Sequence, residues 1–289
     1  MHRYTNCIAH RSSEGILLAG ETHTALFDCG MAFCAEETIA RVKAALGTRP
    51  LDYLFMSHTH YDHIGALPFF RAEWPGLRAV TCEAGAVVLL KDTPRRVIRE
   101  LSGAAALKYG NPFDGAYDDD AFHADVIVKE GDVIPLGGLS VETLETPGHT
   151  RDSLSWFIPE LKLLFLNETT GVLLPDGYIL PCCLTGFASA VKAIEKCSSI
   201  DYAHLSFPHR GIIAQMKAAD YEEYFDRARQ TLVDCRAFIL DMNDKGFDED
   251  EMIARFTQEY ATDTLLQYQP MEAFLANAKA MIGCAVREG

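Results

Sequence analysis

The chain has 289 residues, 48% of them hydrophobic, enough to bury a sizeable core as one large domain or one plus a smaller unit. Lys plus Arg total 26 against 41 Asp plus Glu, a formal charge of −15, which disfavours a bare nucleic-acid backbone as partner. Nine cysteines without a CxxC pair, Cys182 and Cys183 adjacent, predict reduced thiols and a cytoplasmic setting rather than a disulfide framework. The opening MHRYTNCIAHRSSEG has no long apolar segment, and no later stretch approaches the roughly 18 apolar residues of a membrane span, so neither export nor membrane insertion is expected.

In chain order, GILLAG and HTALFDCG are short apolar runs broken by glycine and read as strands. In EETIARVKAALG, Ile39, Val42 and Leu46 recur at helical spacing. LDYLFMS is again strand-like, and SHTHYDHIG, Ser57 to Gly65, begins where it stops. IGALPFFRAEWPG continues as helix, RAVTC as strand and EAGAVVLL as a short helix; this alternation predicts an α/β protein. From Lys91 to Asp125 the periodicity weakens, and LKYGNPFDGAYDDDAFHAD reads either as a lid over a pocket or as an irregular surface insertion.

The middle is strand-rich: DVIVKEGDVIPLGG, LSVETLETPG, DSLSWFIP and LKLLFLNETTG are short β-like runs punctuated by Gly and Pro. KAIEKCSSIDYAHLSFPHRG reads as a helix end, a strand and another histidine at a strand end. After Met216 the pattern turns helical. Tyr221, Tyr224, Phe225, Ala228, Leu232, Cys235, Phe238 and Ile239 follow i, i+3, i+4 spacing, Asp248 with Glu251 forms a capping pair, and PMEAFLANAKAMIG opens on proline. About three helices are expected over 216–289, with a chiefly structural use, packing on 1–215 or on a second copy as a homodimer.

Imidazole suits borderline metals such as Zn, Fe or Mn, and carboxylates add hard oxygen ligands that bridge two ions. In His58-Thr59-His60 alternate side chains of an extended segment face one centre, and Asp62-His63 addresses a neighbouring ion. On this HxHxDH cluster, with TPGHT supplying His149 and FPHRG supplying His209, the chain resembles the metallo-β-lactamase superfamily over roughly Glu14 to Gln215. The resemblance implies a four-layer αββα sandwich with a metal site at one edge between two mixed sheets, covering 1–215 as the catalytic domain and followed by a helical extension over 216–289.

Residue by residue, the resemblance places His58, His60 and His149 on a first metal and Asp62, His63 and His209 on a second. Glu168 stands where the family uses a bridging aspartate, and Asp28 supports the ligand loop from behind. The Asn167-Glu168 pair departs from the family's Gly-Asp, and glutamate reaches one methylene farther. Two divalent transition-metal ions are implied, Zn foremost, Fe or Mn as alternatives. Their bridging hydroxide would attack a small-molecule ester, thioester, lactone or phosphodiester, with Asp62 also orienting it. Tyr61, Arg151 and Arg210 adjoin the ligands as substrate-contact candidates, and Tyr109, Tyr117 and Tyr178 as pocket-wall candidates.

His60 in place of a glutamate sets the chain apart from the diiron reductase branch. The succession of sandwich and helices resembles a quinolone-signal-response thioesterase branch. The alternative is a non-catalytic metal-containing protein that binds a ligand or regulates a partner. His2, His10, His23, His123, His204 and the Asp118–Asp120 run are assigned to structure or surface.

Overall fold

A computed structural model describes residues 4–7, 15–111 and 116–289. His2, His10 and part of the segment between Lys91 and Asp125 lie outside them. The first sheet is built from β1 (Tyr4–Asn6), β2 (Ile16–Ala19), β3 (Thr24–Phe27), β4 (Tyr53–Phe55), β5 (Arg78–Cys82) and β6 (Val126–Val128), paired in that order. From β3 to β6 the pairing is parallel, and β3 and β4 are buried on both faces, hence their unbroken apolar sequences.

The second sheet comprises β7 (Val133–Pro135), β8 (Ser140–Glu145), β9 (Leu154–Ile158) and β10 (Leu163–Phe165). A two-stranded β11 (Val172–Leu173) and β12 (Ile179–Leu180) ribbon follows, and β13 (His204–Phe207) and β14 (Gly211–Ile212) complete the sheet in the order β14-β13-β10-β9-β8-β7. Its β10–β13 pair is parallel and its other pairs antiparallel.

The sheets face each other across one apolar layer. Phe27 of the first stacks on Phe165 of the second at 4.0 Å, and Phe55 meets the edge of Trp156 at 4.9 Å. Each fully buried side chain of this kind contributes about 1.5–3 kcal/mol of transfer free energy. This layer fixes the two sets of strand ends that carry the site.

Helices cover both outer faces. On the first sheet lie α1 (Ala35–Leu46), α2 (Tyr61–Ile64), α3 (Leu67–Glu73), α4 (Glu83–Leu89) and α5 (Asp92–Lys108). On the second lie α6 (Phe187–Ser198), α7 (Ala218–Asp244), α8 (Glu249–Tyr260), α9 (Asp263–Tyr268) and α10 (Met271–Glu288). The architecture is a four-layer αβ/βα sandwich with a C-terminal helical extension.

Three expectations change. Asp92–Lys108, inside the segment expected to be irregular, is a 17-residue helix. Its buried stripe is Ile98, Ser102, Ala105 and Ala106, small residues that pack closely without giving a strong apolar period. The helix following SHTHYDHIG breaks at Gly65 and Ala66 into α2 and α3. The tail forms four helices rather than three, and they share one core with the second sheet, where Tyr221, Phe225, Phe256 and Met281 pack with Leu164, Leu205 and Phe207. Asp248 and Glu251 form the capping box of α8. Among the described residues no helix is long and apolar enough to cross a membrane.

Candidate metal centre

The ligand loop leaves the buried end of β4 and is held from three sides. Asp28, just past β3 with a left-handed φ of 54°, accepts the Ser57 backbone N–H at 2.7 Å through Oδ1 and meets His63 Nδ1 at 2.9 Å through Oδ2. Asp152, from the opposite sheet, accepts the Thr59 N–H at 2.9 Å. Cys29 and Gly30 donate their backbone N–H groups to the His63 carbonyl. The Ser57 hydroxyl lies between His58 Nδ1 and His63 Nδ1, at 3.1 and 3.2 Å.

The second sheet supplies the other side. His149 sits in the turn between β8 and β9, after Gly148, whose φ is 156° and where a Cβ would lie 2.6 Å from Thr169 Cγ2 and 2.7 Å from Ala190 Cβ. Only glycine allows the turn to approach α6 so closely. His149 donates its backbone N–H to Thr169 Oγ1, and its Nδ1 stands 3.1 Å from the Cys182 carbonyl. That carbonyl accepts a hydrogen bond from Nδ1–H, which leaves Nε2 with its lone pair toward the centre.

Glu168 opens a turn after β10 that is braced by Asn167, whose Oδ1 accepts the Thr169 N–H, and by Tyr224 of α7, whose hydroxyl donates toward the Thr170 and Gly171 carbonyls. His209 follows β13 with a left-handed φ of 60°, a conformation that side-chain-bearing residues adopt at a cost and that clusters at functional sites.

These loops bring the seven candidate ligands together. His58, His60 and His149 form one trio of potential ligand atoms within 4.8 Å of one another. Asp62, His63 and His209 form a second, and Glu168 joins His58 and His63 in a third. Glu168 Oε1 is 2.6 Å from His63 Nε2 and 2.9 Å from His209 Nε2, and Oε2 is 3.5 Å from His58 Nδ1. His149 Nε2 and His60 Nδ1 face each other at 3.0 Å. Buried His58 Nε2 and Glu168 Oε2 have no hydrogen-bond partner among the described residues, and His63 Nε2 meets the Glu168 carboxylate. Such atoms are costly to bury unless a cation or proton satisfies them. The donor set fits divalent transition metals.

Electrostatics divides the cluster. Burial pulls His149 down to about 4 and His58 well below the usual imidazole range, despite the pull of Glu168 the other way. Both rings therefore stand neutral, the form that ligates. Burial opposes charge on His63 and His209 too, but Glu168, Asp28 and Asp62 outweigh it at His63, and Glu168 and Asp62 do so at His209. Burial disfavours the Glu168 carboxylate as well, yet His58, His63 and His209 hold it well below the ordinary range. Glu168 is thus an anion ringed by imidazoles.

His60, Asp62, His149, Glu168 and His209 of the cluster line a cleft of about 910 Å³, open solvent included, with His58 and His63 buried behind them. Tyr61 and Arg210 line it, Arg210 donating Nη1 to the Leu174 carbonyl at 3.0 Å. Arg151 instead lies in a second groove that meets the cleft at His60, Tyr61 and Leu101. Tyr109, Tyr117 and Tyr178 are not among the lining residues; Tyr109 reaches the Tyr268 carbonyl at 2.7 Å. Asp119 and Asp120 pair with Arg99 and Arg95. Sequence reasoning missed Asp152 and Tyr224, single polar residues with no motif around them. It also assigned the tail to packing, whereas Leu265, Tyr268, Gln269, Ala273, Ala276 and Asn277 from the end of the chain line the cleft.

Residues 12–174 match the model of the metallo-beta-lactamase superfamily. A probable metallo-hydrolase of Burkholderia pseudomallei is 31% identical over 147 residues, 51% of this chain and 44% of that protein. A coenzyme F420H(2) oxidase of Methanothermobacter marburgensis is 29% identical over 174 residues, 59% and 37% respectively. The chain thus spans less than half the length of these two relatives. A metallo-beta-lactamase family protein of Thermus thermophilus superposes with a TM-score of 0.64 at 16% identity, over 100% of this chain and 95% of the other. With more than half its length matched by the family model, on a sandwich whose strand ends gather these histidines and carboxylates, the chain belongs to the metallo-beta-lactamase superfamily.

Proposed function

We propose that this chain is a metal-dependent hydrolase of small-molecule esters, thioesters, lactones or phosphodiesters. The observation that carries the reading is the gathering of five histidines and Asp62 around the Glu168 anion, with buried His58 Nε2 and Glu168 Oε2 unsatisfied among the described residues, at an open cleft. His58, His60 and His149 would hold one divalent ion and Asp62, His63 and His209 a second, with Glu168 between them, zinc foremost and iron or manganese otherwise. Bound there, such ions lower the pKa of water and polarise the substrate's electrophilic group. No side-chain nucleophile is then needed, which agrees with the burial of all nine cysteines as free thiols.

The chain's own residues have distinct tasks. Asp28 and the Cys182 carbonyl fix the ring orientation of His63 and His149. Asp62, with 21% of its side chain exposed against 5% for Glu168, is the more exposed of the two carboxylates lining the cleft, suited to pass a proton to the leaving group. Burial pushes the Tyr61 phenol up, so it stays a hydrogen-bond donor at the wall. The oxidase relative raises a redox reading, against which His60 stands where the diiron reductase arrangement has a glutamate. The free thiols favour a cytoplasmic setting, and the helices following the sandwich keep the quinolone-signal-response thioesterase branch among the candidate relatives.

The test is to purify the full chain without chelator, measure metal by elemental analysis, and assay the loaded protein on an ester, thioester, lactone and phosphodiester panel. About two equivalents and turnover of one class are expected. Absence of metal after both aerobic and anaerobic reconstitution overturns the reading. Tight metal with ligand binding and no turnover across the panel would instead assign a regulatory or binding protein.

A further inference from the structure

Above the metal floor the cleft changes character. Its far wall is made by Leu173 and Leu174 of the β11 ribbon, Leu265 of α9, and Ala273 and Ala276, one turn apart on α10. Outside the seven candidate ligands, Arg210 is the one formally charged side chain among the described lining residues. Its Nη1 is already engaged by the Leu174 carbonyl.

We infer that the substrate carries an uncharged, apolar acyl group and that this group seats between the β11 ribbon and helices α9 and α10. The inference rests on the hydrolase reading and adds the substrate class. Tyr268, Gln269 and Asn277 add neutral polar groups to this wall, so a carboxylate or phosphate on the acyl arm would have a single, partly committed guanidinium as its counter-charge, within a chain of net charge −15. The two alanines matter for shape. Larger side chains on that face of α10 would fill the space beside Leu265, whereas alanine leaves it open.

His60, Asp62 and His209 line the same cleft as this wall, so an acyl carbon placed over them has the wall within the cleft to receive its chain. In the hydrolytic step water adds to that carbon and its bond to oxygen or sulfur breaks. The products are a carboxylate, an alcohol or thiol that takes one proton of the water, and a second proton released to solvent.

The experiment uses the full zinc-loaded chain and N-acetylcysteamine thioesters of acetyl, butanoyl, hexanoyl, octanoyl and succinyl groups. Each added methylene is expected to raise kcat/KM about fourfold until the cleft is filled, with succinyl at least about tenfold below butanoyl. Ala276→Trp is expected to lower the octanoyl-to-acetyl ratio at least about tenfold, and Ala276→Leu to lower it less; the milder variant carries the test if tryptophan disturbs folding. Octanamide binding by calorimetry gives a readout independent of turnover, and is expected to be lost in Ala276→Trp.

Turnover with a flat chain-length profile, or with a preference for succinyl, overturns the inference and leaves the hydrolase reading standing. No turnover at any length, with octanamide binding that Ala276→Trp abolishes, supports the apolar pocket and removes thioesters from the hydrolase reading, whose ester, lactone and phosphodiester classes the wider panel decides. No octanamide binding to the parent chain overturns the inference.

Discussion

The two sides of the cleft are held by different forces. On the ligand side every turn is tied by buried, directional polar contacts: Ser57 by Asp28, Thr59 by Asp152, His149 by Thr169 and the Cys182 carbonyl, and the Glu168 turn by Asn167 and Tyr224. On the helical side Leu265 is held by packing within the core over the second sheet, and Ala273 is buried. The polar ties there run along the rim, from Lys108 Nζ to the Leu266 and Gln269 carbonyls and from Tyr109 to Tyr268. Ligation demands placement to a fraction of an ångström, which hydrogen bonds enforce. Selection of an apolar group demands volume, which packing sets and which tolerates exchange of one hydrophobic residue for another. Chemistry is therefore anchored on one side, and selectivity is adjustable on the other.

Substitutions on the two sides should separate accordingly. The largest effect belongs to Glu168→Ala, which removes the anion facing three imidazoles. Metal stoichiometry should fall and kcat/KM should drop by more than the 10–100-fold typical of groups that merely support a ligand. Unchanged stoichiometry and affinity, read by elemental analysis and competition with a chromogenic chelator, would reject Glu168 as a ligand. Asp28→Asn should fall within that 10–100-fold range in metal affinity. A value close to the parent's would mean that Asp28 shapes the loop without supporting the ligand.

Gly148→Ala forces a Cβ against Thr169 and Ala190, and thermal unfolding should show a loss of about 1–3 kcal/mol. An unperturbed melting temperature would show that the His149 turn yields more readily than the geometry implies. Tyr224→Phe removes the hydroxyl bracing the Glu168 turn, at an expected cost of about 1–3 kcal/mol for the buried carbonyls left unpaired. The smallest effect is expected at the rim. Lys108→Met should change stability by less than about 1 kcal/mol and leave metal affinity at the parent value. If it instead shifts metal binding by tenfold or more, the two sides are coupled and the contrast between them is wrong.

The same contrast explains what was legible in the sequence. SHTHYDHIG is contiguous, so its candidate ligands announce themselves together; His209 stands just past an apolar strand run, while His149 in TPGHT and Asp28 in LFDCG were marked by the family resemblance. Asn167-Glu168 was recognisable because it is the carboxylate at the end of β10, and the structure places that carboxylate against His63 and His209. The helical wall left no such mark. Leucines and alanines at helical spacing are what any packed helix carries, and which of them face a cleft depends on how the tail docks. α5 was missed for a related reason, since Ser102, Ala105 and Ala106 bury a helix face without an apolar rhythm. Asp152 and Tyr224 act across long stretches of chain, on Thr59 and on the Glu168 turn, where one sequence offers no spacing to read.

The central claim is a two-metal centre organised around Glu168. Its most direct test is anomalous X-ray diffraction from crystals of the metal-loaded full chain, with data on both sides of the metal's absorption edge. Two anomalous peaks are predicted, one among His58, His60 and His149 and the other among Asp62, His63 and His209, with the Glu168 carboxylate between them. Loaded crystals with no peak among these residues, or with one lone peak that Glu168 does not approach, would contradict it.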